Sequence, residues 1–279
     1  MRLPALITRT TLCPLFVVPL IAATLAGRVL AGPLDDAEVA YKRGDYATAL
    51  RLLRPFADQG NASSQFNLGL MYEHGRGVAQ DDAEAARWYR KAAEQGVALA
   101  QTNLGVLYES GRGVPKDEIE AVNWYRKAAQ NDARAQYNLG SMYLRGRGVN
   151  RDYVEASRWF QKAAERGMSS AQNNLGVMYK DGQGVSRDVS QAVRWFRTSA
   201  DQGDADAQAN LGGMYVEGLG VAQDYVQAHK WFALAASGFS ASKADKRALA
   251  IEYRDLVAAR MTPAQVAEAQ KLAREWKPK

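Results

Sequence analysis

The dipeptide Leu-Gly falls at Leu68-Gly69, Leu104-Gly105, Leu139-Gly140, Leu175-Gly176 and Leu211-Gly212, at steps of 36, 35, 36 and 36 residues. A period this constant restricts the fold more than any composition does. A unit of this length cannot bury its apolar face alone, so successive copies must stack and share a continuous core. The chain therefore reads as a solenoid.

The copy from Ala135 to Gly167 shows the internal order. Four residues after each Leu stands a tyrosine, Tyr72, Tyr108, Tyr143, Tyr179 or Tyr215, followed by a glycine pair such as Gly146 and Gly148. Then comes Asp81, Asp117, Asp152, Asp188 or Asp224, with Glu or Gln three residues on. That spacing predicts a capping box: the Asp accepts from first-turn amides of a second helix, and the Glu or Gln reaches back. Ala156, Trp159, Phe160, Ala163 and Ala164 then lie at helical 3-4-7 spacing and define one apolar face. Five of the six tryptophans, Trp88, Trp124, Trp159, Trp195 and Trp231, share this one phase, which assigns them to packing rather than to a ligand platform. In the first helix, about Ala133 to Arg145, Leu139 and Tyr143 form the buried stripe. Gly140 is expected to let the second helix come close, and Gly146 to end the first helix in the left-handed conformation. The loop GRGVNRD lacks the Lys-Ser/Thr ending of a phosphate-binding loop and follows a helix, so it does not read as a nucleotide site.

The pattern A-Q-x-N-L-G-x-M/L-Y-x-x-G-x-G-V-x-x-D-x-x-x-A-x-x-W-Y/F-x-K-A-A-x-x-G resembles the Sel1-like repeat family, relatives of tetratricopeptide repeats, over roughly Ala62 to Gly238. The resemblance implies an all-α fold, a right-handed superhelical α-solenoid of stacked antiparallel helix pairs, with adaptor or regulatory roles in protein complexes. A cysteine-rich branch of the family, linked to β-lactam hydrolysis, closes each helix pair with a disulfide. The one cysteine here is Cys13, so that part of the resemblance fails.

Residues 1–31 read as a secretory signal: Arg2 and Arg9, an apolar run from Leu12 to Leu25, and Val29-Leu30-Ala31 before Gly32 as a cleavage site. Pro14 and Pro19 interrupt the run, which is short for an uncut span of about 20 residues. Leu12 before Cys13 argues against lipid attachment. Residues 35–60 read as an atypical, tetratricopeptide-like helix pair capping the amino end, 61–238 as five repeats, and 239–279 as carboxyl-terminal capping helices. In the last of these, Thr262 caps and Pro263 takes the first helical position. Ala264, Ala267, Leu272 and Trp276 are expected to cover the end of the stack.

Loss of the leader's three arginines would lower the net charge from +6 to +3, and no basic run of five exists, so no nucleic-acid partner is expected. His74 and His229 are the only histidines and belong to different units. No catalytic constellation, metal site or cofactor site can be assembled from the spacing, and the chain does not read as an enzyme.

An asparagine precedes the Leu-Gly of each repeat: Asn67, Asn103, Asn138, Asn174 and Asn210. In the tetratricopeptide fold the matching position faces the concave groove, where an amide can both donate to and accept from a peptide backbone. Each Asn equally suits a tie from its helix to the next unit's loop, and both readings stay open. One residue earlier the units differ: Phe66, Thr102, Tyr137, Asn173 and Ala209. Variation there marks specificity, with Tyr137 and Arg145 as anchors in the middle of the groove. The expected protein is a periplasmic or secreted monomer, not inserted in the membrane after signal cleavage, that binds a partner protein or extended peptide along its concave groove in an envelope process. An envelope hydrolase and a secreted factor acting on host molecules are the alternative classes.

Overall fold

The computed structural model describes residues 32–279; the leader read over residues 1–31 lies outside them. All regular structure among the described residues is helical, and the chain divides after Arg151 into two compact units. The first contains α1 (Pro33–Lys42), α2 (Tyr46–Asp58), α3 (Ala62–His74), α4 (Asp82–Glu94), α5 (Ala98–Ser110), α6 (Glu118–Ala128) and α7 (Ala133–Arg145). The second contains α8 (Tyr153–Glu165), α9 (Ser169–Asp181), α10 (Val189–Asp201), α11 (Ala205–Glu217), α12 (Tyr225–Gly238), a 3-10 turn (Ala241–Lys243), α13 (Ala244–Ala258) and α14 (Pro263–Glu275). No described helix is long and apolar enough to cross a membrane.

Within each repeat the two helices run antiparallel. Gln65 of α3 meets Gln95 just past α4, the Gly69 backbone meets the Tyr89 ring, and the Tyr72 carbonyl accepts from Asp81 N–H at the loop. The glycine of each Leu-Gly pair permits this approach. A Cβ on Gly105 would lie 2.6 Å from Cε1 of Tyr125, and Gly176 and Gly212 stand in the same relation to Phe196 and Phe232. In each loop the first glycine has φ between +64° and +72° and ends the first helix. The second glycine joins neighbouring repeats. Gly77 lies over the Tyr46 carbonyl, Gly113 over Asp82, Gly148 over Glu118, Gly184 over Tyr153 and Gly220 over Val189. Each loop thus rests on the first turn of the preceding repeat's second helix.

Asp81, Asp117, Asp152, Asp188 and Asp224 cap the second helices, each accepting from two backbone amides at 2.9–3.0 Å. The reciprocal half of the expected capping box is absent at these five helices. The cap amides of Asp81, Asp117, Asp188 and Asp224 donate instead to the carbonyls of Tyr72, Tyr108, Tyr179 and Tyr215 at 2.9–3.1 Å, so no donor is left for the Glu or Gln. Glu84 and Glu155 turn outward to Arg87 and Arg158.

The tryptophans pack as the periodicity requires, though not equally. Trp88, Trp124 and Trp231 are buried, whereas Trp159 and Trp195 are half-buried. Trp124 closes a cluster drawn from α3, α4 and α5, including Phe66, Tyr89, Leu104 and Leu107, and so ties its repeat to the one before. The ammonium groups of Lys91, Lys127 and Lys162 sit 3.9–4.1 Å from the ring centroids of Trp88, Trp124 and Trp159.

A second inter-repeat tie comes from the glutamine two positions before each Asn. Gln65, Gln101, Gln136, Gln172 and Gln208 are buried, and each donates from Nε2 to a carbonyl in the last turn of the preceding second helix, Ala57, Ala93, Ala129, Ala164 or Ala200, at 2.7–3.2 Å. Helix ends leave such carbonyls without intrahelical partners. Gln101→Leu would remove this tie and leave the Ala93 carbonyl with the Gly96 N–H alone. The expected cost is about 1 kcal/mol, read as a lower midpoint in urea unfolding.

At the carboxyl end α13 and α14 both pack on α12. Ala264 and Ala267 face solvent, contrary to the expected cap face, because the contact is made one step round the helix by Ala269, Ala273 and Trp276. Trp276 meets Trp231 edge-on at 6.4 Å, and the Lys279 ammonium reaches Asp201 at 2.7 Å. Asp206, buried in α11, receives Lys243 and Lys246 at 3.1 and 2.6 Å, which fixes the start of α13.

Candidate interaction surface

The five asparagines are placed in three different settings. Asn67 is buried, and its Oδ1 has no hydrogen-bond partner. Asn174 is buried as well. Asn103, Asn138 and Asn210 are half-buried. Asn103 accepts from Arg134 at 3.5 Å, and Asn210 donates to Asn173 Oδ1 at 2.9 Å. Asn103 and Asn138 also contact the hydroxyls of Tyr89 and Tyr125 on the preceding second helices. One edge of Asn103, Asn138 and Asn210 therefore ties repeats together.

Variation before the Asn does not mean exposure. Phe66, Thr102, Asn173 and Ala209 are buried, with Thr102 donating to Asp132 at 2.7 Å. Tyr137 alone of this set is half-buried, and Arg145 at the end of the same helix is half-buried too. In residues 32–151 the helical line through the asparagines carries Asn103, Val106 and Ser110 on α5, then Arg134, Asn138 and Arg145 on α7, each at least partly exposed. Its chemistry changes from repeat to repeat.

Beside this line lies a polar network that the sequence reading missed. Tyr89 donates to Glu73 at 2.6 Å and Tyr125 to Glu109 at 2.7 Å. Arg112 holds Asp82 through two bonds, at 2.9 and 2.7 Å, and meets Glu73 at 3.3 Å; Arg147 pairs with Glu109. The signal was present as Glu after the repeat Tyr, Arg between the loop glycines and Tyr after the Trp, a combination complete in the first two repeats only. Burial first, then the adjacent carboxylate, hold both phenols well above the ordinary tyrosine range. A phenol whose folded value is raised contributes stability fully present below the unfolded value of about 10 and lost as pH rises beyond it. Alkaline unfolding is therefore expected to set in above about pH 10 and to be moderated in the double variant Tyr89→Phe, Tyr125→Phe, as followed by circular dichroism.

The Sel1 repeat model matches residues 40–61, 62–97, 98–132, 133–168, 169–204 and 205–238. The chain belongs to the Sel1 repeat family. The matched segments add a short sixth Sel1 copy inside the pair read as an atypical cap. Among solved structures, this Sel1 chain is similar to a Sel1 repeat protein from Oxalobacter formigenes, with 33% identity and a TM-score of 0.74 over 86% of this chain and 96% of that one. It is also similar to c5321, a protective antigen of uropathogenic Escherichia coli with the same repeat fold, at 38% identity and a TM-score of 0.72 over 87% of this chain. The chain spans about half (53%) of that antigen's length. Comparison with curated proteins gives no match. Sel1 repeat proteins generally serve as protein-interaction scaffolds, and among the described residues of this one no His, Cys, Asp and Glu side chains gather into a metal-binding group.

Proposed function

We propose that this Sel1 chain is an exported scaffold that binds a partner protein, or an extended segment of one, on the first-helix face of its repeats, acting as adaptor or regulator in an envelope process. The observation that carries the reading is a division of labour among recurrent polar groups. Gln and Asp side chains are engaged in joining and capping repeats, whereas Asn103, Asn138, Tyr137 and Arg145 keep part of their surface on one line. An amide has four hydrogen-bonding positions, so a tie on one edge leaves the other for a peptide backbone. Tyr and Arg are the types enriched where binding energy concentrates. In the second unit Asn210 keeps part of its surface. The leader over residues 1–31 supports export.

Photo-crosslinking in living cells tests this reading, with the crosslinker at Tyr137 and, as control, at Arg87 on an exposed second-helix face. One discrete adduct from Tyr137 alone, in a protein whose mature amino terminus is Gly32, is the expected outcome. Equal labelling from both positions would count against it.

A further inference from the structure

The segment after α14 folds back on the turn between α10 and α11. Trp276 meets the Trp231 ring edge-on, the Lys279 N–H donates to the Asp201 carbonyl at 2.8 Å, and its ammonium reaches the Asp201 carboxylate at 2.7 Å. The space over Gly203 is filled as well: a Cβ there would lie 3.8 Å from Trp276 and 3.9 Å from Pro278. An acid at the helix end, a turn glycine and the next repeat's Trp ring together seat the extended segment Trp-Lys-Pro-Lys.

One repeat earlier the same three groups stand uncovered. Glu165 and Gly167 hold the places of Asp201 and Gly203, and Trp195 follows its glycine by the same 28 residues as Trp231 does. Gly167 has φ of +85° against +90° at Gly203, so the two turns share one backbone course. Glu165 and Gly167 are exposed, whereas Asp201 and Gly203 are half-buried, and a Cβ on Gly167 would meet nothing within 4 Å. One Glu165 carboxylate oxygen accepts from Gln161 at 2.7 Å, and the Glu165 carbonyl has no backbone donor among the described residues. The ring is open too. Lys91, Lys127 and Lys162, three residues after their tryptophans, cover Trp88, Trp124 and Trp159, and Trp276 covers Trp231. Three residues after Trp195 stands Thr198, whose hydroxyl turns to the Arg194 carbonyl at 3.0 Å. Trp195 is half-buried and carries neither a cation nor an aromatic ring among the described residues. The indole N–H groups of the other four tryptophans in this phase are sealed inside without a partner; that of Trp195 is not.

We infer that Trp195 and the turn from Glu165 to Gly167 form a second docking site, apart from the first-helix face, for an extended segment of a partner protein with an aromatic residue three positions before a lysine. The aromatic ring lies against Trp195, and the lysine bonds the Glu165 carbonyl through its N–H and the carboxylate through its ammonium, as Trp276 and Lys279 do one repeat on. Edge-to-face ring contact supplies most of the affinity, since an exposed ion pair contributes little. The protein's own segment of this kind is already seated at Asp201, which leaves the earlier turn to a partner.

Heteronuclear NMR of the nitrogen-labelled protein from Gly32 to Lys279 tests this, with the Trp195 indole N–H assigned through Trp195→Phe. The probe is the peptide acetyl-Trp-Lys-Pro-Lys-amide and its control acetyl-Ala-Lys-Pro-Lys-amide, each titrated into the millimolar range. The expected result is a saturable shift of the Trp195 indole with the first peptide and none with the second. Thr198→Lys restores the residue that three other repeats carry and should lower affinity at least about tenfold. Glu165→Lys should lower it about threefold or more, and both variants should melt like the parent. No shift, equal shifts from the two peptides, or affinity unchanged in both variants would overturn the assignment. So would a Trp195 indole signal that moves with protein concentration alone, which would give the turn to a second copy of this chain.

Discussion

Replacing Trp124 with alanine is expected to lower the unfolding free energy by about 3–5 kcal/mol, among the largest single losses available to this chain. The ring is 6% exposed and completes a cluster contributed by three other helices, so truncation opens a cavity between repeats rather than within one. In a stack stabilised by nearest-neighbour interfaces, a weakened junction also lowers cooperativity. Urea unfolding followed by circular dichroism should show a lower midpoint and a shallower or divided transition. Trp195→Ala, at a half-buried position of the same phase, should cost distinctly less. Equal losses at the two sites would show that packing between repeats does not depend on how deeply each ring is seated.

Gly113→Ala carries the second large effect, for a reason that involves no lost contact. Gly113 has φ of +67°, and an added methyl would fall inside the Asp82 carbonyl and against the Ala83 amide. Neither backbone group can rotate away, because both belong to the capped first turn of α4. Gly96 is the proper comparison: its φ is +88°, yet a Cβ there meets nothing within 4 Å. Gly96→Ala should cost about 1 kcal/mol from backbone conformation alone, and Gly113→Ala about 3 kcal/mol or more. Denaturant midpoints for the two variants distinguish a requirement for left-handed backbone from a requirement for close approach.

What could be read from the sequence was whatever the backbone imposes locally. The Asp caps, the helix-ending glycines and the Leu-Gly approach follow from φ and ψ limits that hold wherever such residues stand. The phase of the tryptophans followed from helical geometry in the same way. Contacts between repeats were harder. A glutamine in A-Q-x-N-L-G looks like ordinary surface, and only the stacking of the next repeat buries Gln101 against the Ala93 carbonyl. The cap amide of Asp81 was assigned to Glu84 from the motif, but the Tyr72 carbonyl arrives first because the loop folds back on its own helix. Variation at Phe66, Thr102, Asn173 and Ala209 suggested an open surface; each is packed, and the variation records different solutions to one buried site. Of the proposed site residues, Asn67 and Asn174 lie inside, while Asn103, Asn138, Asn210, Tyr137 and Arg145 keep exposed surface. Sequence period cannot make that distinction, since it gives the same register to all five copies.

The division of labour can be tested at one turn of one helix, by measuring thermal stability and partner adduct together in Gln136→Ala and Asn138→Ala, with the crosslinker at Tyr137. Gln136 donates to the Ala129 carbonyl from a buried position, and Asn138 is half-buried on the proposed binding line. The account predicts that Gln136→Ala lowers stability by about 1–3 kcal/mol and leaves the adduct in the folded fraction, whereas Asn138→Ala removes the adduct at a cost of about 1 kcal/mol or less. Loss of stability in Asn138→Ala as large as in Gln136→Ala, with the adduct retained, would contradict it and make the asparagine ladder part of the stack alone.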